Sequence, residues 1–151
     1  MTEFSFYHLE RAPLERVLPR LLERVLGSGL RAVILAGSPE RVEQLGSLLW
    51  TYDPASFLAH GTAKDGFAGD QPVFLTTDEE NPNAATVLVL LDGVDAEFKG
   101  GFERCLDLFD GKDSGAVDAA RSRWRAAQGP GNTVKYWKQD DAGRWEQAAE
   151  V

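Results

Sequence analysis

The chain has 151 residues with a net charge of −8, and 43% of the residues are hydrophobic. This composition fits a single domain over residues 1–151, and no apolar run approaches the roughly 18 residues of a membrane-spanning helix. One cysteine and two histidines exclude a disulfide framework and a Cys/His zinc site, and we expect neither a metal nor a cofactor. The first residues lack the basic and apolar stretches of a secretory signal, so we expect a cytoplasmic protein.

The chain opens with a strand pattern followed by a helix pattern. Residues 4–9 are short and rich in aromatic side chains, which favours a strand. Pro13 then opens a helix whose apolar positions form one stripe as far as Leu26. Pro19 lies inside this helix, where an uncompensated proline costs about 3 kcal/mol, so we expect a kink or a later start.

A second strand and a second helix follow. Residues 31–37 form a near-continuous apolar run, which is typical of a strand buried on both faces of a parallel sheet. Ser38 is suited to cap a helix and Pro39 to occupy its first position. The apolar residues of this predicted helix continue to Trp50.

The second half of the chain adds further strands and one more helix. Two apolar runs, 73–77 and 85–91, predict buried strands separated by a polar turn. Residues 104–109 fit a strand or a helix, and a helix follows over 114–128. The chain then closes with a predicted hairpin over about residues 133–148.

This alternation of strands and helices predicts an α/β fold with three layers. A mostly parallel central sheet carries helices on both faces, in a topology like that of mononucleotide-binding domains. Neither G-x-G-x-x-G nor G-x-x-x-x-G-K-[ST] occurs, and the turn at Gly37 contains one glycine only. We therefore predict this fold without a nucleotide site.

The residues that could carry catalysis lie in unsuitable surroundings. Cys105 lies in an apolar stretch, which is typical of a buried, inert thiol. His8 and His60 have no nucleophile motif nearby, and we expect each to be a hydrogen-bonded structural histidine. The acidic runs lack the spacing of a calcium loop or a two-metal centre. The sequence thus predicts a protein that is not an enzyme and functions through surface recognition.

Positive charge is concentrated towards the C-terminal end of the chain. Residues 1–115 carry 10 basic and 19 acidic side chains, whereas residues 116–151 carry 6 and 5. No acid lies within residues 119–139, which we call the basic segment. Its basic residues are Arg121, Arg123, Arg125, Lys135 and Lys138. Because the rest of the chain is acidic, we expect the recognition site in this segment.

Four residues of the basic segment share one face of the predicted helix, at positions i, i+3, i+4 and i+7. They are Arg121, Trp124, Arg125 and Gln128. Two guanidiniums beside an indole suit an acidic peptide with an aromatic side chain. They also suit single-stranded nucleic acid stacked on Trp124 or Trp137, so a direct nucleic-acid-binding module is the alternative function. A structural alternative also stands, in which Val117, Ala120, Trp124 and Ala127 form a core stripe and the arginines are solvated flanks.

The whole chain resembles the chi subunit family of bacterial DNA polymerase III. Residues 6–9, Phe-Tyr-His-Leu, and the basic helix at 120–125 carry part of the resemblance. The most specific part is the middle block, which contains Leu49, Trp50, Pro54, Ser56, Phe57 and His60. The resemblance implies a noncatalytic accessory subunit of the polymerase III holoenzyme, associated with the clamp loader during DNA replication.

The resemblance also implies a partner, the acidic C-terminal tail of single-stranded DNA-binding protein (SSB), which ends in a phenylalanine carboxylate. DNA would then be reached only indirectly. In the family an Arg, an aromatic residue and a second basic residue hold this tail, and the matching positions here are Arg121, Trp124 and Arg125. The tryptophan is a departure from the family, since it keeps a stacking face but changes the shape of the pocket.

A second family surface, used for the psi subunit or for a competing helicase, maps near Trp50 and Phe57. The alternative is that both aromatic residues belong to the core, because they follow an apolar helix. The hairpin with Trp145 is longer than the family's usual ending, and the resemblance implies no role for it.

Overall fold

The computed structural model describes residues 2–52, 59–129 and 131–148. Within these ranges the chain forms eight strands and three α-helices. They are β1 (Glu3–Leu9), α1 (Leu14–Gly27), β2 (Ala32–Leu35), α2 (Pro39–Thr51), β3 (Gly61–Thr62), β4 (Val73–Thr76), β5 (Val87–Leu91), β6 (Arg104–Asp110), α3 (Ser114–Ala127), β7 (Thr133–Gln139) and β8 (Trp145–Ala148). None of the helices in the described ranges is long and apolar enough to cross a membrane.

The strands form one open sheet in the order β3-β4-β2-β5-β6-β1-β7-β8. Every neighbouring pair is parallel except β7 and β8, which pair in antiparallel fashion. β1 lies between β6 and β7, and Phe4 faces Cys105 on one side and Val134 on the other. Strands β2 and β5 are buried along their whole length, as expected for strands covered on both faces.

Helices cover both faces of this sheet. α1 and α2 lie on one face, which we call the α1 face, where Leu18, Leu22 and Leu45 are fully buried. α3 lies on the opposite face, the α3 face, where its Ala120 packs in a core cluster with Phe6. The predicted three-layer α/β fold with a mostly parallel sheet is therefore confirmed.

Local sequence accounts for the helix ends. The Ser38 hydroxyl accepts a hydrogen bond from the Arg41 N–H at 3.2 Å and caps α2, with Pro39 at its first position. Asp113 caps α3 in the same way through the Gly115 N–H at 2.9 Å. α1 begins at Leu14, one residue after Pro13, and keeps Pro19 in its interior.

Residues 104–109, which the sequence left open between a strand and a helix, lie in strand β6. Residues 104–110 form a strand because they pair on both sides, with β5 and with β1. Leu106 and Leu108 are buried on the α1 face, whereas Cys105 and Phe109 are buried on the α3 face. This period of two contributes apolar side chains to both cores.

The close approach of β1 and the end of β6 requires a glycine at position 111. A Cβ on Gly111 would lie 2.0 Å from Cδ2 and 2.2 Å from Nε2 of His8. The His8 ring is held in place, since Nδ1 lies 2.6 Å from the Tyr136 hydroxyl and Nε2 lies 2.8 Å from Glu10. The ring therefore has little freedom to move away.

We expect Gly111→Ala to lower the free energy of unfolding by about 1–3 kcal/mol, because His8 must shift from its two hydrogen bonds. The matched control is Gly46→Ala in the interior of α2, where an added Cβ meets nothing within 4 Å. That change should raise the free energy of unfolding by about 0.5–1 kcal/mol. Urea denaturation measures both, and a Gly111→Ala variant as stable as the wild type would contradict this packing.

Candidate functional site

A buried ion pair fixes α3 on the sheet. Arg123 Nε lies 2.6 Å from Asp107 Oδ2, and Arg123 Nη2 lies 3.0 Å from Asp107 Oδ1. The two residues are only 8% and 4% exposed. Burial raises the pKa of the Asp107 carboxyl, while the adjacent guanidinium acts in the opposite direction. Such a bidentate contact has directional hydrogen bonds and therefore determines which side of α3 meets β6.

Arg123 is thus not part of the predicted surface. It is one of the five cations of the basic segment, but it points inward because its partner Asp107 lies in the middle of β6. A signal for this pair was present, since Asp107 is an acid in an otherwise apolar strand and a buried carboxylate requires a partner. The spacing of Ala120, Arg123 and Ala127 at i, i+3 and i+7 places all three on the sheet side of α3.

The opposite side of α3 carries the predicted site residues. The Arg121 side chain is 39% exposed, and its Nη1 lies 3.3 Å from Asp118 one helical turn earlier. Arg125 and Gln128 are exposed. Gln128 lies just beyond the helix and donates its backbone N–H to the Arg125 carbonyl at 3.2 Å. The fold therefore brings these three polar side chains to one side of the end of α3.

Trp124 lies at the boundary between this surface and the core. Its side chain is partly buried and packs against the core cluster of the α3 face. Its indole Nε1 is buried and has no hydrogen-bond acceptor among the described residues. The core-stripe alternative is confirmed for Ala120 and Ala127. Trp124 fits both interpretations, because its side chain packs against the core while the helical spacing places it next to Arg121 and Arg125.

The basic segment does not form one surface, because the sheet divides it. Tyr136 packs on the α3 face, whereas Trp137 lines cavities together with α1 residues on the other face. Lys135 lies 2.9 Å from Glu3 in an ion pair. Trp124 and Trp137 therefore lie on opposite faces of the sheet and belong to separate surfaces.

The second predicted surface is described only in part. Trp50, at the end of α2, is 60% exposed, and its ring centroid lies 4.8 Å from that of His60. The core alternative is therefore wrong for Trp50, because Val42, Leu45 and Leu49 fill the buried side of the helix instead. Phe57 lies outside the described residues, as do Pro54 and Ser56.

The remaining chemically capable residues have structural surroundings. Cys105 is buried, and burial raises the pKa of its thiol to about 12, so the thiol stays protonated at neutral pH. His8 is hydrogen-bonded at both ring nitrogens, and His60 Nε2 lies 3.0 Å from the Gly46 carbonyl. Among the described residues no group of three or more His, Cys, Asp and Glu side chains is arranged to hold a metal ion.

Comparison with known proteins gives two matches. A family model described as the DNA polymerase III chi subunit, HolC, matches residues 1–135. A relative from Rickettsia prowazekii (strain Madrid E), named probable DNA polymerase III subunit chi, is 35% identical over 95 residues. That alignment covers 63% of this chain and 58% of the relative.

These matches define the class as accessory subunits of the bacterial replicative polymerase. The chain belongs to the DNA polymerase III chi subunit family, which implies an accessory role in DNA replication. The family match includes α3 with all four predicted site residues and ends within β7. The rest of the hairpin lies beyond the matched residues.

We expect Asp107→Ala to lower the free energy of unfolding by about 3–5 kcal/mol, because it leaves the Arg123 guanidinium buried without its counter-charge. The control is Asp118→Ala, which removes the exposed partner of Arg121 and should change stability by less than about 1 kcal/mol. Urea denaturation at neutral pH compares the two variants. A loss below about 1 kcal/mol for Asp107→Ala would contradict the buried pair.

Proposed function

We propose that this protein is a noncatalytic adaptor that binds the acidic C-terminal tail of SSB and links it to the clamp loader of DNA polymerase III in the cytoplasm. Membership of the chi subunit family supports the role in replication. The observation that carries the tail-binding site is the arrangement of Arg121 and Arg125 beside the partly buried ring of Trp124 on α3. DNA is reached only indirectly, through SSB.

The chemistry of this surface suits an acidic peptide that ends in an aromatic residue. Each guanidinium can bind a carboxylate through two parallel hydrogen bonds. The exposed part of Trp124 offers an apolar face to the terminal phenyl ring, and Gln128 adds an amide beside it. The α3 C-terminus carries partial negative charge, so the two arginines must offset that repulsion as well as bind the tail.

Asp118 is a competitor for Arg121, but a weak one. Its pair with Arg121 spans one turn of an exposed helix face at 3.3 Å, and such pairs stabilise by about 0.2–1 kcal/mol at most. An incoming carboxylate that also contacts Arg125 can displace it at small cost. The surface therefore accepts a multivalent acidic segment better than a single carboxylate.

We further propose that Trp50, with Phe57, belongs to a second surface for the psi subunit or a helicase. A tryptophan that is 60% exposed at the end of α2 supports this role, since large exposed apolar side chains often mark interaction sites. α2 lies on the α1 face and α3 on the other side of the sheet. Two partners can therefore bind at the same time.

We expect an acidic peptide that ends in Pro-Phe with a free carboxylate to bind with a dissociation constant near 1 μM, or about −8 kcal/mol. The same peptide without its phenylalanine should lose that binding. Arg121→Ala and Arg125→Ala should each weaken the affinity about tenfold or more, because each removes a charge-assisted contact worth about 1.5–3 kcal/mol. Isothermal titration calorimetry measures all of these affinities.

The control variant is Arg11→Ala, which removes a half-exposed arginine that pairs with Asp141 in the turn of the hairpin. It should bind the peptide as the wild type does. Unchanged affinity in both α3 variants would contradict the site. If neither peptide binds and Arg121→Ala weakens binding to an oligonucleotide, the nucleic-acid alternative for α3 replaces the adaptor function.

A further inference from the structure

Helix α1 carries a row of exposed arginines that the family resemblance leaves unexplained. Arg16, Arg20 and Arg24 follow each other at four-residue spacing, so they share one side of the helix about 6 Å apart along its axis. All three line a groove of about 880 Å³ between α1 and the β7–β8 hairpin. One acid lies among them, Glu23, which lies 3.3 Å from Arg20 and accepts a hydrogen bond from Tyr52.

Aromatic rings line the sheet side of this groove. Trp137 and Trp145 face α1 there, and the groove continues past Trp137 into a cavity of about 590 Å³ that reaches Tyr7. The Tyr7 ring stacks on Trp137 with 6.4 Å between centroids and meets Trp145 edge-on at 5.2 Å. All three rings remain partly exposed. We call this surface, defined by Arg16, Arg20, Arg24, Tyr7, Trp137 and Trp145, the α1–hairpin groove.

The fold explains why these rings are accessible. β8 is the outermost strand of the sheet, next to β7, and the hairpin therefore lies beyond β1 at the edge. Alternation along β7 directs Tyr136 to the α3 face and Trp137 to the α1 face. α1 thus forms one wall, the hairpin forms the floor, and a channel is left between them.

The groove is positively charged although the chain is acidic. Together its two cavities are lined by five arginines and two acids, while the net charge of the chain is −8. Both acids already have basic neighbours, since Glu23 pairs with Arg20 and Glu3 lies 2.9 Å from Lys135. Arg144, on the hairpin side, is paired with Asp140 at 3.2 Å. Local charge of this kind selects an anionic ligand.

We propose that the α1–hairpin groove binds single-stranded nucleic acid, with phosphates along the arginine row and bases against Trp137 and Trp145. Evenly spaced guanidiniums suit a polymer that carries a charge at every unit, and every base has a flat face that can stack on an indole. An acidic peptide satisfies the guanidiniums but brings no apolar face to the rings. The bases of a duplex are paired and stacked, so they cannot reach the floor of the groove.

This site is separate from the proposed SSB-tail site. α3 lies on the other face of the sheet, and Trp137 and Trp145 lie beyond residues 1–135, the part that matches the family. A protein that holds the SSB tail with α3 can therefore contact a nucleic acid strand with the opposite face. The two proposals fail separately, because one is measured with a peptide and the other with an oligonucleotide.

The test is fluorescence anisotropy of a labelled oligothymidylate of about 12 nucleotides with the full chain. We expect saturable binding at about 50 mM salt, with log K falling against log[salt] at a slope of about −2 to −3 for three or four phosphate contacts. Arg20→Glu combined with Arg24→Glu should weaken binding at least tenfold and reduce the slope by about 1. Both arginines are exposed, and circular dichroism will show that the variant is folded.

The control is Lys64→Glu combined with Lys112→Glu, which changes the net charge equally at exposed positions away from the groove. It should retain the affinity within about twofold, since only long-range charge is altered. Absence of oligonucleotide binding at low salt would overturn the proposal. An equal loss of oligonucleotide affinity in both double variants would overturn it too. The proposal would also fail if an acidic peptide bound in the same groove more tightly than the oligonucleotide.

Discussion

The ion pair between Asp107 and Arg123 determines how α3 is presented. A carboxylate in the centre of β6 would be costly in an apolar layer unless a cation reached it, and Arg123 reaches it from α3 with two hydrogen bonds. Once Arg123 points inward, the helical period turns Arg121 and Arg125 outward. Trp124 is left between the two sides, partly in the core and partly beside the arginines. The candidate peptide site is therefore a consequence of one buried contact.

The central sheet places the two candidate binding surfaces on opposite faces of the molecule. α3 occupies one side with its arginine pair, whereas α1, α2 and the inner rings of the hairpin occupy the other. An acidic chain with two local concentrations of arginine can attract anionic partners to defined places while the remaining surface repels them. Such an arrangement suits the proposed adaptor, which would hold a protein tail while it contacts other components of the replication assembly.

The sequence predicted much of the fold because its patterns were local. The apolar runs at 73–77 and 85–91 became β4 and β5, and the helix expected at 114–128 is α3 at Ser114–Ala127. The inward orientation of Arg123 was left open by the sequence, because it depends on Asp107, a partner 16 positions away in another element. For Trp50 the sequence left a partner surface and the core as alternatives, and one further residue of rotation beyond Leu49 carries it to the surface.

The α1–hairpin groove was not visible in the sequence for a similar reason. Arginines at four-residue spacing on a surface helix look like an ordinary solvated face, and only the pairing of β7 with β1 brings Trp137 beside them. The position of Trp145 depends in turn on its antiparallel pairing with Gln139. Binding surfaces that combine a helix with a distant hairpin require the tertiary structure.

The four tryptophans provide one direct measurement of where an acidic Pro-Phe peptide binds. Trp124 adjoins the arginine pair of α3, Trp50 lies at the second surface, and Trp137 and Trp145 lie in the α1–hairpin groove. In a ¹H–¹⁵N spectrum of the labelled chain each indole N–H gives its own signal. We expect the Trp124 signal to shift saturably as peptide is added while the other three stay in place. A shift confined to Trp50 or to the two hairpin tryptophans would contradict the tail site on α3.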